Sequence, residues 1–334
     1  MYFTGVCWNR YSALVLEGPV LDLLSLNSIF MIIFLIVIIC VLLSIESKAP
    51  TTRNQIQNNL LLMERTAKIC FIILIILTVI VLFLVIAFVV VRSQEQTKLF
   101  QPDTCKKYKD ISGKFYYMKS GGVLVNINPD VSPEKRRVLF IHGNSMSIDA
   151  YSKPLYCLAA LGYNVWAVEY GGYGIAKGSR HLDSPNCKTV LQDTREAYAI
   201  CGHSDMIVMG FSLGGAILGE LYDSFNPSPS QIVFLNTFYN LPKLVAEKLK
   251  TIGPLIQPLL RTQWVTKKPR KYKGKVMIVS TKDDQVVTPS QGRQLCKIFA
   301  SLNPICIMLP NGGHRRSALI YIDSWANPTV LLQP

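Results

Sequence analysis

The sequence has 334 residues, half of them hydrophobic, which is more than one average domain needs. Lys and Arg number 35 against 21 Asp and Glu, a net charge of +14; a tethered domain facing anionic lipid accounts for such a balance, and no nucleic-acid partner is expected. Nine cysteines, an odd number without tight spacing, do not read as a disulfide framework, and without a Cys-x-x-Cys pair no zinc site, and no other metal or cofactor, is expected.

After an N-terminal segment of residues 1–25, two apolar runs follow. Leu26 to Ile45 is interrupted only by Asn27, Ser28 and Ser44, and Ile69 to Val91 only by Thr78. Each is long enough to cross a bilayer as a helix, which takes about 20 residues, and charges bracket both. Residues 26–91 are therefore expected to form a transmembrane hairpin, with spans at 26–45 and 69–91. The first run starts too deep, and lacks the basic leader, for a cleaved signal peptide. A hairpin puts the N-terminus and everything beyond Val91 on one side. Lys48, Arg53, Arg65 and Lys68 lie in the connecting loop, whereas Arg10, Arg92, Lys98, Lys106, Lys107 and Lys109 flank the other face. Six cations against four lean toward a cytosolic catalytic part. Asn226-Pro227-Ser228 and Asn327-Pro328-Thr329, both blocked by proline, leave no usable glycosylation sequon, which leans the same way.

Residues 92–113 are charged and unpatterned and read as a tether. The remainder, 114–334, has room for one large domain. Phe115–Met118 and Val123–Ile127, separated by Ser120-Gly121-Gly122, predict a hairpin. Strands are then predicted at 138–141, 164–169, 206–211, 232–235, 276–280 and 305–309, and helices at 151–161, 187–200, 213–223 and 290–301. This alternation predicts an α/β class: a mostly parallel sheet covered on both faces, its site at the carboxyl ends of the strands. Between 238 and 272 the pattern breaks at Pro242, Pro254 and Pro258, which reads as a helical insertion, either a lid or a structural connection. The basic run Lys267-Lys268-Pro269-Arg270-Lys271-Tyr272-Lys273 reads as a lipid-facing or merely solvated loop.

The chemistry centres on Met206 to Gly215, where an apolar run stops at Ser212 with Gly210 and Gly214 two residues to either side. That is the Gly-x-Ser-x-Gly form of a nucleophile elbow between a strand and a helix. A serine hydroxyl needs a base, usually a histidine oriented by a carboxylate. Of the four histidines only His314, in Pro310-Asn311-Gly312-Gly313-His314, follows the last strand; His181 and His203 precede the serine without a comparable setting. Asp283 and Asp284 both follow the strand at 276–280. Asp284, continued by Gln285-Val286-Val287, is preferred as the acid, and Asp283 is the alternate, otherwise a solvated neighbour or helix cap. The oxyanion donors are expected to be the backbone N–H groups of Leu213 and Asn144, the latter in His142-Gly143-Asn144-Ser145, where His142 would brace the loop.

With these residues assembled, the chain from about Lys114 onward resembles the α/β-hydrolase-domain serine hydrolases, in particular membrane-anchored members that act on lipids and acylated proteins. The matching stretches are His142-Gly143-Asn144, Glu169 to Gly174, Gly210 to Gly214, the Asp284 loop and His314. Ser280, where the family usually has glycine, and the basic Arg315-Arg316 depart from the pattern without removing a reactive group. The resemblance implies the α/β-hydrolase fold, here preceded by two transmembrane helices, and a bilayer-tethered enzyme cleaving an ester or thioester of an acyl chain. Two readings compete: a peptidase of the same fold, which would want an added domain or acidic subsites, and a membrane scaffold without activity, which has no need of Ser, Asp and His together.

Overall fold

The computed structural model describes residues 53–105, 107–132, 134–176 and 185–315. The chain divides into one unit ending at Val85 and a second beginning at Ile86. The expected span at 26–45 and the N-terminal segment lie outside the described residues. The second apolar run falls within α1, Arg53–Leu99, of which Leu61–Leu99 is long and apolar enough to cross a membrane. Phe71 and Phe83 stay largely exposed, and Thr78, the polar interruption, turns its hydroxyl back to the Leu74 carbonyl at 2.8 Å. Two spans were expected; among the described residues there is one such helix.

Residues 92–99, read above as the start of a tether, continue α1. Ser93 to Leu99 contains no glycine or proline, and the first breaker, Pro102, comes only after the helix has ended. Nor is the remainder loose. The Cys105 N–H donates to Gly174, the Gly174 N–H to Asp103, and the Asp149 carboxylate accepts from the N–H groups of Lys109, Asp110 and Ile111.

The second unit is built on eight strands: β1 (Lys114–Tyr117), β2 (Val123–Asn126), β3 (Arg137–Ile141), β4 (Asn164–Glu169), β5 (Ile207–Phe211), β6 (Gln231–Leu235), β7 (Lys275–Thr281) and β8 (Ile305–Leu309). Their order in the sheet is β1-β2-β4-β3-β5-β6-β7-β8. The β1–β2 and β2–β4 pairs are antiparallel and the other five parallel, as the hairpin followed by alternation predicts. Every residue of β4, β5 and β6 is buried, which is why they read as unbroken apolar runs, while β1 and β8 at the edges are partly exposed.

Successive residues serve opposite faces. Leu139, Ile141, Val208 and Phe234 pack under α3 (Cys187–Cys201), α4 (Leu213–Leu221) and α7 (Pro289–Ile298), while Val138, Phe140, Met209 and Val233 pack under α2 (Ser152–Ala160). The insertion between β6 and β7 holds α5 (Leu241–Leu249), α6 (Gly253–Ile256) and a 3-10 turn, Gln257–Leu259. Pro242, Pro254 and Pro258 lie in the first turns of these three elements, where the missing N–H has no intrahelical acceptor to lose. The prolines that broke the sequence pattern start its helices.

One disulfide joins Cys296 of α7 to Cys306 of β8, so the cysteines include a bonded pair that their spacing did not suggest. Ten residues separate the two, and the return from helix to edge strand brings them together.

Candidate active site

Ser212 stands at the carboxyl end of β5, immediately before α4, with φ 52° and ψ −117°. A residue with a Cβ avoids this region at a cost of about 1–3 kcal/mol, so the surroundings must hold it there. They do so through its backbone: the Ser212 N–H donates to Leu235, and the Ser212 carbonyl accepts from the Thr237 hydroxyl at 2.5 Å and the Gly215 N–H at 3.0 Å. The flanking glycines serve the close approach of strand and helix. A Cβ on Gly214 would lie 2.0 Å from the Ile141 carbonyl oxygen, and one on Gly210 2.6 Å from that of Gly214. Neither position has room for alanine without moving backbone.

His314 reaches the serine from the loop after β8. Its Nε2 lies 2.9 Å from Ser212 Oγ, and its Nδ1 lies 2.7 Å from Asp284 Oδ2. A carboxylate accepts only, so the neutral ring carries its proton on Nδ1 and leaves Nε2 to accept from the serine hydroxyl. Ser212 is 8 % and Asp284 5 % exposed, so both ends of the chain of contacts are shielded from bulk water. The other Asp284 oxygen, Oδ1, accepts from the N–H groups of Val286 at 2.7 Å and Val287 at 2.9 Å, which fixes the carboxylate plane. The Phe211 ring, 5.2 Å away between centroids, backs the imidazole.

Asp283 takes a different place. It is a solvated neighbour, exposed and not a helix cap, and its oxygens accept from the N–H groups of Gly312 and Gly313, so it also holds the loop that carries His314. Asn236 holds the same loop from the other side, its amide donating to the His314 carbonyl at 2.8 Å and the Gly313 carbonyl at 3.3 Å. The sequence reading overlooked Asn236 and Thr237. The signal was present, since two polar residues directly follow the apolar β6 at the carboxyl end of the sheet.

Leu213 is the first residue of α4, where an N–H has no intrahelical acceptor. The loop after β3 runs beside it: a Cβ on Gly143 would lie 3.2 Å from Ser212 Cβ and 2.9 Å from the Phe211 ring. Gly143 thus lets the Gly143-Asn144 peptide come against the serine. Asn144 is fixed by its side chain, whose Oδ1 accepts from the Tyr173 hydroxyl at 2.8 Å and the Gln101 N–H at 2.9 Å. Gln101, in the supposed tether, also accepts from the Ser145 hydroxyl. Burial pushes the Tyr173 phenol well above its ordinary range, which keeps it a neutral donor.

His142 is sealed in the interior at 0 % exposure. Its Nδ1 meets the Gly143 carbonyl at 2.7 Å, and its Nε2 lies 2.9 Å from Glu169 Oε1 without the alignment of a hydrogen bond. Glu169 Oε2 accepts from the Tyr108 hydroxyl and the Ile148 N–H. Burial, then the neighbouring Glu169, raises the Tyr108 phenol far above its usual value. This second histidine–carboxylate pair braces the loop and has no route to a substrate. His203 accepts from the Asp205 N–H in a surface turn, and His181 lies outside the described residues. Among the described residues no three His, Cys, Asp or Glu side chains are grouped to hold a metal ion.

Residues 132–262 match the family model Hydrolase_4, described as serine aminopeptidase, S33. Protein bem46 of Schizosaccharomyces pombe is 28 % identical over 170 residues, 48 % of this chain and 55 % of that protein. The α/β hydrolase domain-containing protein WAV2 of Arabidopsis thaliana is 26 % identical over 183 residues, with the same coverage of 48 % and 55 %. The chain thus spans about half the length of the curated relatives it matches. Among solved structures, the Pyrococcus furiosus esterase Pf2001 is similar in two crystal forms. One has TM-score 0.50 at 15 % identity, covering 69 % of this chain and 96 % of that one; the other has 0.52 at 12 %, covering 70 % and 96 %. At such identities the likeness is one of fold.

Proposed function

The chain belongs to the α/β-hydrolase superfamily, and from that premise we propose that it is a membrane-tethered serine hydrolase cleaving carboxylic esters or thioesters of acyl chains. The observation that carries the proposal is the unbroken contact from Ser212 Oγ through the His314 ring to Asp284. In this reading His314 Nε2 takes the hydroxyl proton as Oγ bonds to the acyl carbon. The tetrahedral oxyanion is met by the backbone N–H groups of Leu213 and Asn144. His314 then passes its proton to the departing alcohol or thiol as the C–O or C–S bond breaks. Water, deprotonated by the same ring, frees the acid and restores Ser212. Asp284 keeps Nδ1 protonated and stabilises the imidazolium.

The anchor supports the substrate class, because acyl chains partition into the bilayer that α1 would cross. We take the tether as a two-span hairpin, 26–45 and 69–91, and residues 238–272 as a lid. The Cys296–Cys306 bond argues for an oxidising compartment more strongly than six cations against four argue for the cytosol. Alkylation of native membranes without reductant is expected to leave both thiols unlabelled; labelled free thiols would return the domain to the cytosol.

A peptidase is the second reading, favoured by the description of the matching family model. Purified full-length protein offered short-chain esters, a lysophospholipid, a palmitoyl thioester and aminoacyl arylamides separates the two. Ester or thioester turnover is expected to exceed arylamide turnover by about 100-fold or more, roughly 2.7 kcal/mol of barrier. Preference for the arylamide would make the peptidase the better account, and no turnover of any substrate the scaffold.

A further inference from the structure

The insertion between β6 and β7 carries a charge out of proportion to its length. Residues 238–272 contain eight Lys and Arg, at 243, 248, 250, 261, 267, 268, 270 and 271, and a single acid, Glu247. That net +7 is half of the charge of the whole chain. All eight cations are exposed, and none forms an ion pair with a described residue. Glu247 is already engaged by the hydroxyls of Thr288 and Ser290.

Among these cations stand apolar side chains that the fold leaves in solvent: Leu249 is 42 %, Ile252 52 % and Leu255 71 % exposed, at the end of α5, in the turn that follows and in α6. Charge repels such a surface from another copy of itself, and exposed leucine and isoleucine do not suit nucleic acid. Cations around large aliphatic groups suit an anionic lipid interface.

The same segment is fastened to the membrane-proximal end of α1 by contacts within the second unit. Arg92, the first charge after the apolar run, donates from Nε to the Leu259 carbonyl at 2.9 Å. One turn on, the buried Glu95 accepts from the N–H groups of Arg261 and Thr262, both at 2.6 Å. Phe100 then packs edge-on against Trp264. The insertion is therefore held where the helix meets its first charge, four residues along the chain from Leu255.

We propose that Leu249, Ile252 and Leu255, with the surrounding lysines and arginines, form a docking surface for an anionic lipid bilayer. The inference rests on the reading of α1 as a membrane anchor and deepens it. The rim of the site sits on the leaflet from which acyl substrates come, since Lys248 contacts the Gln285 carbonyl next to Asp284.

The test uses full-length protein in vesicles of phosphatidylcholine and phosphatidylserine, with an environment-sensitive fluorescent amino acid placed by suppression at position 255. A second sample carries it at position 200, where Ile200 is exposed at the opposite ends of the strands. Brominated acyl chains are expected to quench position 255 about twofold or more, as suits a side chain about 5–10 Å into the interface, and to leave position 200 unchanged. Replacing Lys250, Lys267 and Lys268 by glutamate should reduce the quenching. Carbonate extraction separates the failures. Protein that is extracted contradicts the anchor itself. Protein that stays in the membrane with position 255 as unquenched as position 200 overturns the docking surface alone.

Discussion

Replacing Ser212 with alanine is expected to end labelling by a fluorophosphonate and to lower ester turnover by about 10⁴ to 10⁶-fold while the protein stays folded. The fold should survive because what holds residue 212 in its strained conformation is backbone. The N–H bond to Leu235 and the carbonyl bonds from Thr237 and Gly215 are all kept by alanine, which also pays no new penalty at φ 52°. What disappears is the one oxygen that His314 Nε2 can deprotonate. His314→Ala should cost a similar factor, since an unassisted hydroxyl is a poor nucleophile. The double variant should be little slower than either single one, because the two side chains act as a unit. Multiplying effects would mean that serine and imidazole work independently, and undiminished labelling of Ser212→Ala would move the nucleophile elsewhere.

The parts of this site that could be read from the sequence are those announced by their neighbours in the chain. β5 is an apolar run that stops at a serine between glycines; a Cβ on Gly210 would meet Gly214 within the same turn, and one on Gly214 would meet Ile141 at the end of the neighbouring β3. His314 stood out because only one of four histidines follows the last strand. What escaped depends on residues far apart in the chain. Asn236 matters because β6 ends beside the loop after β8, and Gln101 because the segment after α1 runs back across the loop after β3. The polar pair that ends the apolar β6 is the only local sign of Asn236, and no local pattern marks Gln101. The same holds for Cys296 and Cys306, which become neighbours only when α7 returns the chain to the sheet edge. The run from Arg92 to Leu99 failed for another reason. Charge was read as a sign of a linker, whereas Glu95 is buried and the charged residues sit in a helix that nothing interrupts.

The two adjacent aspartates provide the sharpest separation of roles. Asp284→Asn is expected to lower kcat by about 10⁴-fold with little change in KM, whereas Asp283→Asn should lose about tenfold or less. In the first variant the amide oxygen can still accept from Val286 and Val287, so the loop keeps its shape. The amide NH2 group then faces His314 Nδ1 in place of a carboxylate oxygen, and it donates. The ring must answer by accepting at Nδ1 and carrying its proton on Nε2, where it can no longer take one from Ser212. The charge that steadies the imidazolium is lost as well. In the second variant the amide oxygen of residue 283 can keep the shorter bond, from the Gly313 N–H at 2.8 Å, and give up the longer one from Gly312 at 3.2 Å. The loop loosens without changing the protonation of the ring. A 10⁴-fold loss in Asp283→Asn beside a mild one in Asp284→Asn would exchange the two assignments. Equal losses in both would mean that the placement of the loop, more than the charge opposite the ring, limits the reaction.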